Sequence, residues 1–174
     1  PVDGHEPNNW GGFFGGSAWK YVASRDQYYL HSFAVEQPDL NWDNPQLRQA
    51  VYDMMNFWVN KGVDGFRLDV INLISKPDSF ADGQPEAGEP YAAIGGIIAN
   101  GPHLHEYLQE MNQQVFAGHQ LMTVGETPGA TVADAKQLAS GQGQELNMVF
   151  EFEHMGLDGN PDPALGKWND QPVR

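Results

Sequence analysis

Three times along this chain a run of apolar residues at helical spacing leads into a short apolar run of the kind that forms a buried strand. The first helix is capped by Asp43 or Asn44, carries Pro45 in its first turn and sets Leu47, Val51, Met54, Met55 and Trp58 at helical spacing before Gly62. A strand over 63–70 follows at once. A loop of about residues 72–101, rich in Gly, Pro and acids, comes next. Gly101-Pro102 opens a second helix with a Leu104, Leu108, Met111, Val115 stripe, closed by Gly118. A second strand runs over 121–126. Thr131 and Asp134 resemble a capping box for a short helix to about Ala139, and a third strand covers 146–152. Helix–strand alternation of this kind predicts a parallel α/β architecture.

What surrounds the repeat narrows the choice. Residues 1–41 read as an aromatic-rich loop region with one strand, over 27–33, and its aromatics are expected to form a small core of their own. One or two of them are candidates to line a sugar site. No Gly-x-Gly-x-x-Gly or Walker pattern follows a strand, so a nucleotide fold has no local support. With 23 Asp+Glu against 9 Lys+Arg, the formal net charge of -14 disfavours nucleic acid and anionic membrane surfaces and suits a neutral ligand. The chain has no cysteine, which excludes a disulfide framework, a thiolate zinc site and a Cys nucleophile. No run approaches the roughly 20 apolar residues of a membrane span. The first residues resemble neither a signal peptide nor a domain start, and the chain is expected to be part of something longer.

The chemistry concentrates at two strand ends. In G-V-D-G-F-R-L-D-V-I-N, Gly62 to Asn72, residues Phe66, Leu68 and Val70 share one parity and suit a helix-facing layer. Gly65, Arg67 and Asp69 share the other, which would point into a barrel with Asp69 nearest the C-terminal mouth. In L-M-T-V-G-E the last residue, Glu126, falls at the corresponding position. Two carboxylates at the C-terminal end of neighbouring barrel strands suggest glycoside hydrolysis. Arg67 beside Asp69 favours the charged form that a nucleophile needs. Glu126 has no cation in its own segment, and burial near another anion should raise its pKa, as suits a proton donor.

Other readings of the same residues stay open here. Arg67 and Asp69 fit a structural ion pair, and Asp and Glu at a barrel mouth could hold a divalent metal. His31, His103, His105, His119 and His154 lack metal-protease spacing, and His103 and His105 read as capping or surface residues on different faces.

The residues also resemble a known family. G-V-D-G-F-R-L-D-V-I-N resembles the strand-four motif of glycoside hydrolase family 13, the α-amylase family, and T-V-G-E-T-P-G its strand-five motif. Q-P-D-L-N at Gln37 to Asn41 looks like the marker near the end of domain B in the oligo-1,6-glucosidase, dextran glucosidase and sucrose isomerase group. P-N-N-W-G-G-F-F-G-G-S-A-W and V-F-E-F-E-H-M resemble that group too. The resemblance implies a partial (β/α)8 TIM barrel, about strands four to six with their helices, over 42–174, with residues 1–41 as the end of the inserted domain B.

It further implies Asp69 as nucleophile, Glu126 as acid/base and Arg67 as the group orienting the nucleophile. Val70 would line the next sugar subsite, where valine goes with α-1,6 preference. The family's strand-three and strand-seven motifs are absent, which predicts an internal segment of a longer enzyme with little activity alone. The expected activity is that of a retaining α-glucosidase on short isomalto-oligosaccharides, with no cofactor and no metal. The expected partner is a small neutral oligosaccharide, in a monomeric cytoplasmic enzyme that binds neither nucleic acid nor membrane. The alternatives are a sucrose isomerase or transglucosidase of the same family, a non-catalytic amylase-like subunit, and a metal-dependent barrel hydrolase.

Overall fold

The computed structural model describes residues 4–140, 144–150 and 152. Three short strands open it: β1 (Trp10–Gly11), β2 (Trp19–Val22) and β3 (Gln27–Leu30). Only β3 is predicted by the sequence. β2 and β3 form an antiparallel hairpin, while β1 pairs in parallel with β5 (Ala92–Ala93) from the middle of the long loop. That loop is therefore not structureless. It holds a 3₁₀ turn at Ile71–Leu73, β5 and the short helix α2 (Gly95–Ile98).

Helix α1 (Pro45–Asn60) starts as its caps require. Asn44 adopts extended backbone and its side chain accepts from the Gln46 N–H. Tyr52 and Met55 are buried, whereas Met54, Phe57 and Trp58 of the same helix are exposed. The expected stripe is thus narrower than the sequence predicts: Met54 and Trp58 lie outside it.

Helix α3 (Leu104–Met111) continues into a π-helical turn, Asn112–Phe116, and buries Leu104, Leu108, Met111 and Val115 as predicted. Arg48 of α1 ties the two helices together: its Nε donates to Glu110 at 2.6 Å and its Nη1 to the Trp42 carbonyl at 2.7 Å. Helix α4 (Val132–Leu138) carries the full reciprocal capping box of Thr131 and Asp134.

The predicted alternation closes into one parallel sheet in the order β4 (Gly65–Leu68), β6 (Met122–Glu126), β7 (Met148–Phe150). Its two faces differ. Phe66, Leu68 and Val149 pack with Tyr52, Met55, Leu108, Met111 and Val115 into the main core. The other face carries Arg67, Met122, Met148 and Phe150, all exposed. Gly65 lets β4 approach β6: a Cβ there would lie 1.9 Å from the Met122 carbonyl oxygen.

β4 is shorter than the predicted strand. It ends at Leu68, and Val70 turns into a left-handed conformation, φ 39 and ψ 42. This corrects the parity assignment of Val70. It leaves the Phe66 and Leu68 layer and packs on a second core of Trp10, Ala18, Leu30, Leu73, Ile94 and Ile98. That second core answers the expectation for the aromatic N-terminal region: Trp10 is fully buried, stacked on Trp19 and Phe80. The V-F-E-F-E-H-M motif lies mostly outside the described residues, as do His154 and everything after it.

Candidate active site

Register alone brings the two carboxylates level. Arg67 pairs with Val124 and Leu68 with Gly125. The next position on the β4 side is Asp69 and the next on β6 is Glu126. Adjacent strands lie about 4.8 Å apart, so two side chains at the same level on the same face meet. Arg67 shares that face and bridges them. Its Nη1 bonds Asp69 Oδ1 and its Nη2 bonds Glu126 Oε2. The fork of the guanidinium can hold two carboxylates at once, which an ammonium cannot do with the same geometry.

The titrations of the two neighbouring carboxyls separate. Asp69 is held below the usual carboxylate range, first by the Arg67 hydrogen bond and then by that to Glu126. Glu126 is pushed up, first by loss of solvent and then by the bond to Asp69; Arg67 and the Val70 backbone N–H pull it back only in part. Glu126 is thus the more basic of the two carboxyls. The Asp69 side chain is 72% exposed and that of Glu126 20%, which explains why desolvation dominates for one and the cation for the other. The sequence expectation that Glu126 has no cation holds only within its own segment. Across the sheet, Arg67 reaches it.

Both carboxylates open into a cavity of about 600 Å³. Val70 lines it beside Asp69, and Phe14, Phe33 and Trp42 supply aromatic walls. Two of the many N-terminal aromatics, Phe14 and Phe33, thus stand where a sugar-lining role was expected.

Sequence reasoning missed the far wall. Asp39, from Q-P-D-L-N, pairs with Lys76 at 2.9 Å, and their side chains are only 15% and 14% exposed. Asp39 also accepts from the Ser32 backbone N–H at 3.2 Å and from Ser32 Oγ at 2.5 Å. Lys76 donates to the Leu73 carbonyl at 2.6 Å. The pair locks the N-terminal region to the loop that follows β4. Q-P-D-L-N was a visible signal for Asp39; Lys76 has no local pattern that marks it.

The histidines sit elsewhere. His103 is half-buried beside Glu106 and Asp78. His105 bonds the buried Glu145 at 3.0 Å. His31 is buried, its Nδ1 3.0 Å from the Phe33 carbonyl. Among the described residues no group of three or more His, Asp or Glu side chains gathers as a metal site, and no helix is long and apolar enough to cross a membrane.

A parallel sheet under helices, with carboxylates at its C-terminal end, is the arrangement of a barrel-type α/β fold. The chain belongs to the α-amylase family: the alpha amylase, catalytic domain, matches residues 1–173. That family has a TIM-barrel-type α/β fold. The chain is 52% identical over 171 residues to an oligo-1,6-glucosidase of Halalkalibacterium halodurans, an alignment that takes in 98% of this chain and 30% of that protein.

Among solved structures it resembles trehalose-6-phosphate hydrolase of Bacillus licheniformis, with TM-score 0.80 and 46% identity over 92% of this chain and 28% of that one. It also resembles a variant of trehalulose synthase in complex with Tris, with TM-score 0.80 and 42% identity over 90% and 28%. The chain thus spans about three-tenths of the length of the relatives it matches.

Proposed function

We propose that the whole protein is a retaining α-glucosidase acting on α-1,6-linked glucosides of short isomalto-oligosaccharides. The observation that carries this reading is the Arg67-bridged pair of Asp69 and Glu126 at the mouth of one cavity. One guanidinium holds both carboxyls through its two Nη atoms. Inverting enzymes need about 6.5–9.5 Å between carboxyls to seat a water, so a pair gathered on one side chain supports the retaining geometry. Glu126 protonates the leaving oxygen while Asp69 attacks the anomeric carbon. Glu126, now ionised, takes a proton from water as that water attacks the glucosyl–Asp69 ester, and Asp69 leaves as carboxylate. Arg67 holds Asp69 ionised and oriented.

β4, β6 and β7 fit strands four to six of the barrel, with residues 42–174 inside it and 1–41 the end of domain B. Val70, on the cavity wall beside Asp69, favours α-1,6 over α-1,4 linkages. The similarity to an oligo-1,6-glucosidase at 52% identity supports the same substrate class. The proposed enzyme is a cytoplasmic monomer whose partner is the neutral oligosaccharide, without nucleic acid or membrane. Among the described residues Met122, Met148 and Phe150, on the inner face of the sheet, are exposed.

Sucrose isomerisation is the second reading, favoured by the likeness to trehalulose synthase. The deciding experiment incubates the intact protein with isomaltose, maltose and sucrose and identifies the products. Glucose from isomaltose, abolished in Asp69→Asn, supports hydrolysis. Isomeric disaccharides from sucrose would replace that reading with the second one. Val70→Ala should lower the ratio of isomaltose to maltose turnover.

A further inference from the structure

Asn72 stands three residues beyond Asp69 in the 3₁₀ turn, and its side chain is completely buried. Its Nδ2 donates to the Pro128 carbonyl at 2.8 Å and to Asn100 Oδ1 at 3.1 Å. Its own carbonyl accepts from the Asn100 backbone N–H at 2.9 Å. Both side-chain partners are oxygens, so only one orientation of the amide satisfies them. Pro128 is two residues beyond Glu126. One amide therefore spans from the turn behind the first carboxylate to the turn behind the second.

We propose that Asn72 is a positioning residue: its amide couples the Asp69 turn to the Glu126 turn and so sets how the two carboxyls meet. The proposal rests on the glucosidase reading of that pair.

Two further observations support it. Asn72 Oδ1 is, among the described residues, the buried side-chain oxygen left without a hydrogen-bond partner. The amide is held by its donor end alone, through the two bonds that join the turns. The strand hydrogen bonds between β4 and β6 also stop short of the site. The last register pair is Leu68 with Gly125, and Val70 has already turned left-handed. The ladder ends one position before Asp69 and Glu126, and beyond that point the Asn72 bridge joins Arg67 in linking the two segments.

The test uses the intact enzyme and measures kcat/KM for isomaltose against pH. Asn72→Asp keeps the shape but loses both N–H donors; Asn72→Ser leaves the site polar and too short to reach Pro128. Either variant should lose about 100-fold in kcat/KM, the scale of a small misplacement of reacting groups. Both limbs of the pH profile should also move toward each other, because weaker contact lets Asp69 rise and Glu126 fall.

Thr131→Ala, which breaks a helix cap away from the pair, serves as control and should leave both limbs in place. Loss of rate with unmoved limbs overturns the proposal and makes Asn72 merely structural. Failure of both variants to fold does so too. Absence of any turnover by the parent enzyme overturns the glucosidase reading and this proposal with it, whereas normal parental turnover with unshifted variants overturns this proposal alone.

Discussion

Two cation–carboxylate clusters line the same cavity and are built for different ends. At Asp39–Lys76 every group is used up. The carboxylate takes Lys76, the Ser32 hydroxyl and the Ser32 N–H, and the ammonium also donates to Leu73. Little water reaches either side chain, so the pair is a clamp. At Arg67–Asp69–Glu126 one cation serves two carboxylates, and the Asp69 side chain stays 72% exposed. Asp69 lines the cavity beside Glu126. The contrast teaches how to separate a structural ion pair from a reactive one: by the acceptor capacity left over, not by the presence of the pair.

Removing the proposed nucleophile tests the contrast most severely. Asp69→Asn should cut turnover by about 10⁴-fold or more with little change in melting temperature, since the group is exposed. A large loss of stability would mean that Asp69 is a clamp as well. Glu126→Gln should cost about 10²–10⁴-fold, and less for an aryl glucoside whose leaving group needs no proton. Equal losses on both substrates would argue against acid catalysis.

On the structural side, Lys76→Met leaves Asp39 buried without its cation and should destabilise the fold by about 3 kcal/mol, read by denaturant unfolding. Activity per folded molecule should change far less; the reverse pattern would collapse the distinction between the clusters.

The smallest effect expected is on the pH profile. In the proposed mechanism Asp69 works ionised and its pKa is lowered, so the acid limb should lie below the usual carboxylate range, with activity falling as pH drops through it. Glu126 works protonated and its pKa is raised, so the alkaline limb lies higher than for an ordinary glutamate and activity falls as pH rises through it. Arg67→Lys keeps the charge but loses the fork, and should move the acid limb upward. An unmoved acid limb would remove Arg67 from the account.

The parts of the fold that sequence made visible are those whose causes are local. Asn44 and Thr131 cap their helices through bonds to neighbours two and three residues away. The buried stripe of α3 and the apolar layer of Phe66 and Leu68 follow from periodicity. Val70 shows the limit. Its parity is that of Phe66, but its environment comes from the second core, so it turns where the alternation predicts a strand. β1 was illegible for a similar reason: its partner is Ala92–Ala93, some eighty residues away.

By itself the sequence determined which residues meet at the strand ends, because parity along a strand is a local property. Arg67 and Asp69 had to share a face, and Glu126 had to end its own strand. Tertiary structure alone decided that one guanidinium bridges both carboxylates, that Lys76 and Asp39 close the opposite wall, and that Asn72 spans from one turn to the other. Each of those contacts joins residues brought together only by strand register and loop packing, and distance along the chain carries no trace of them.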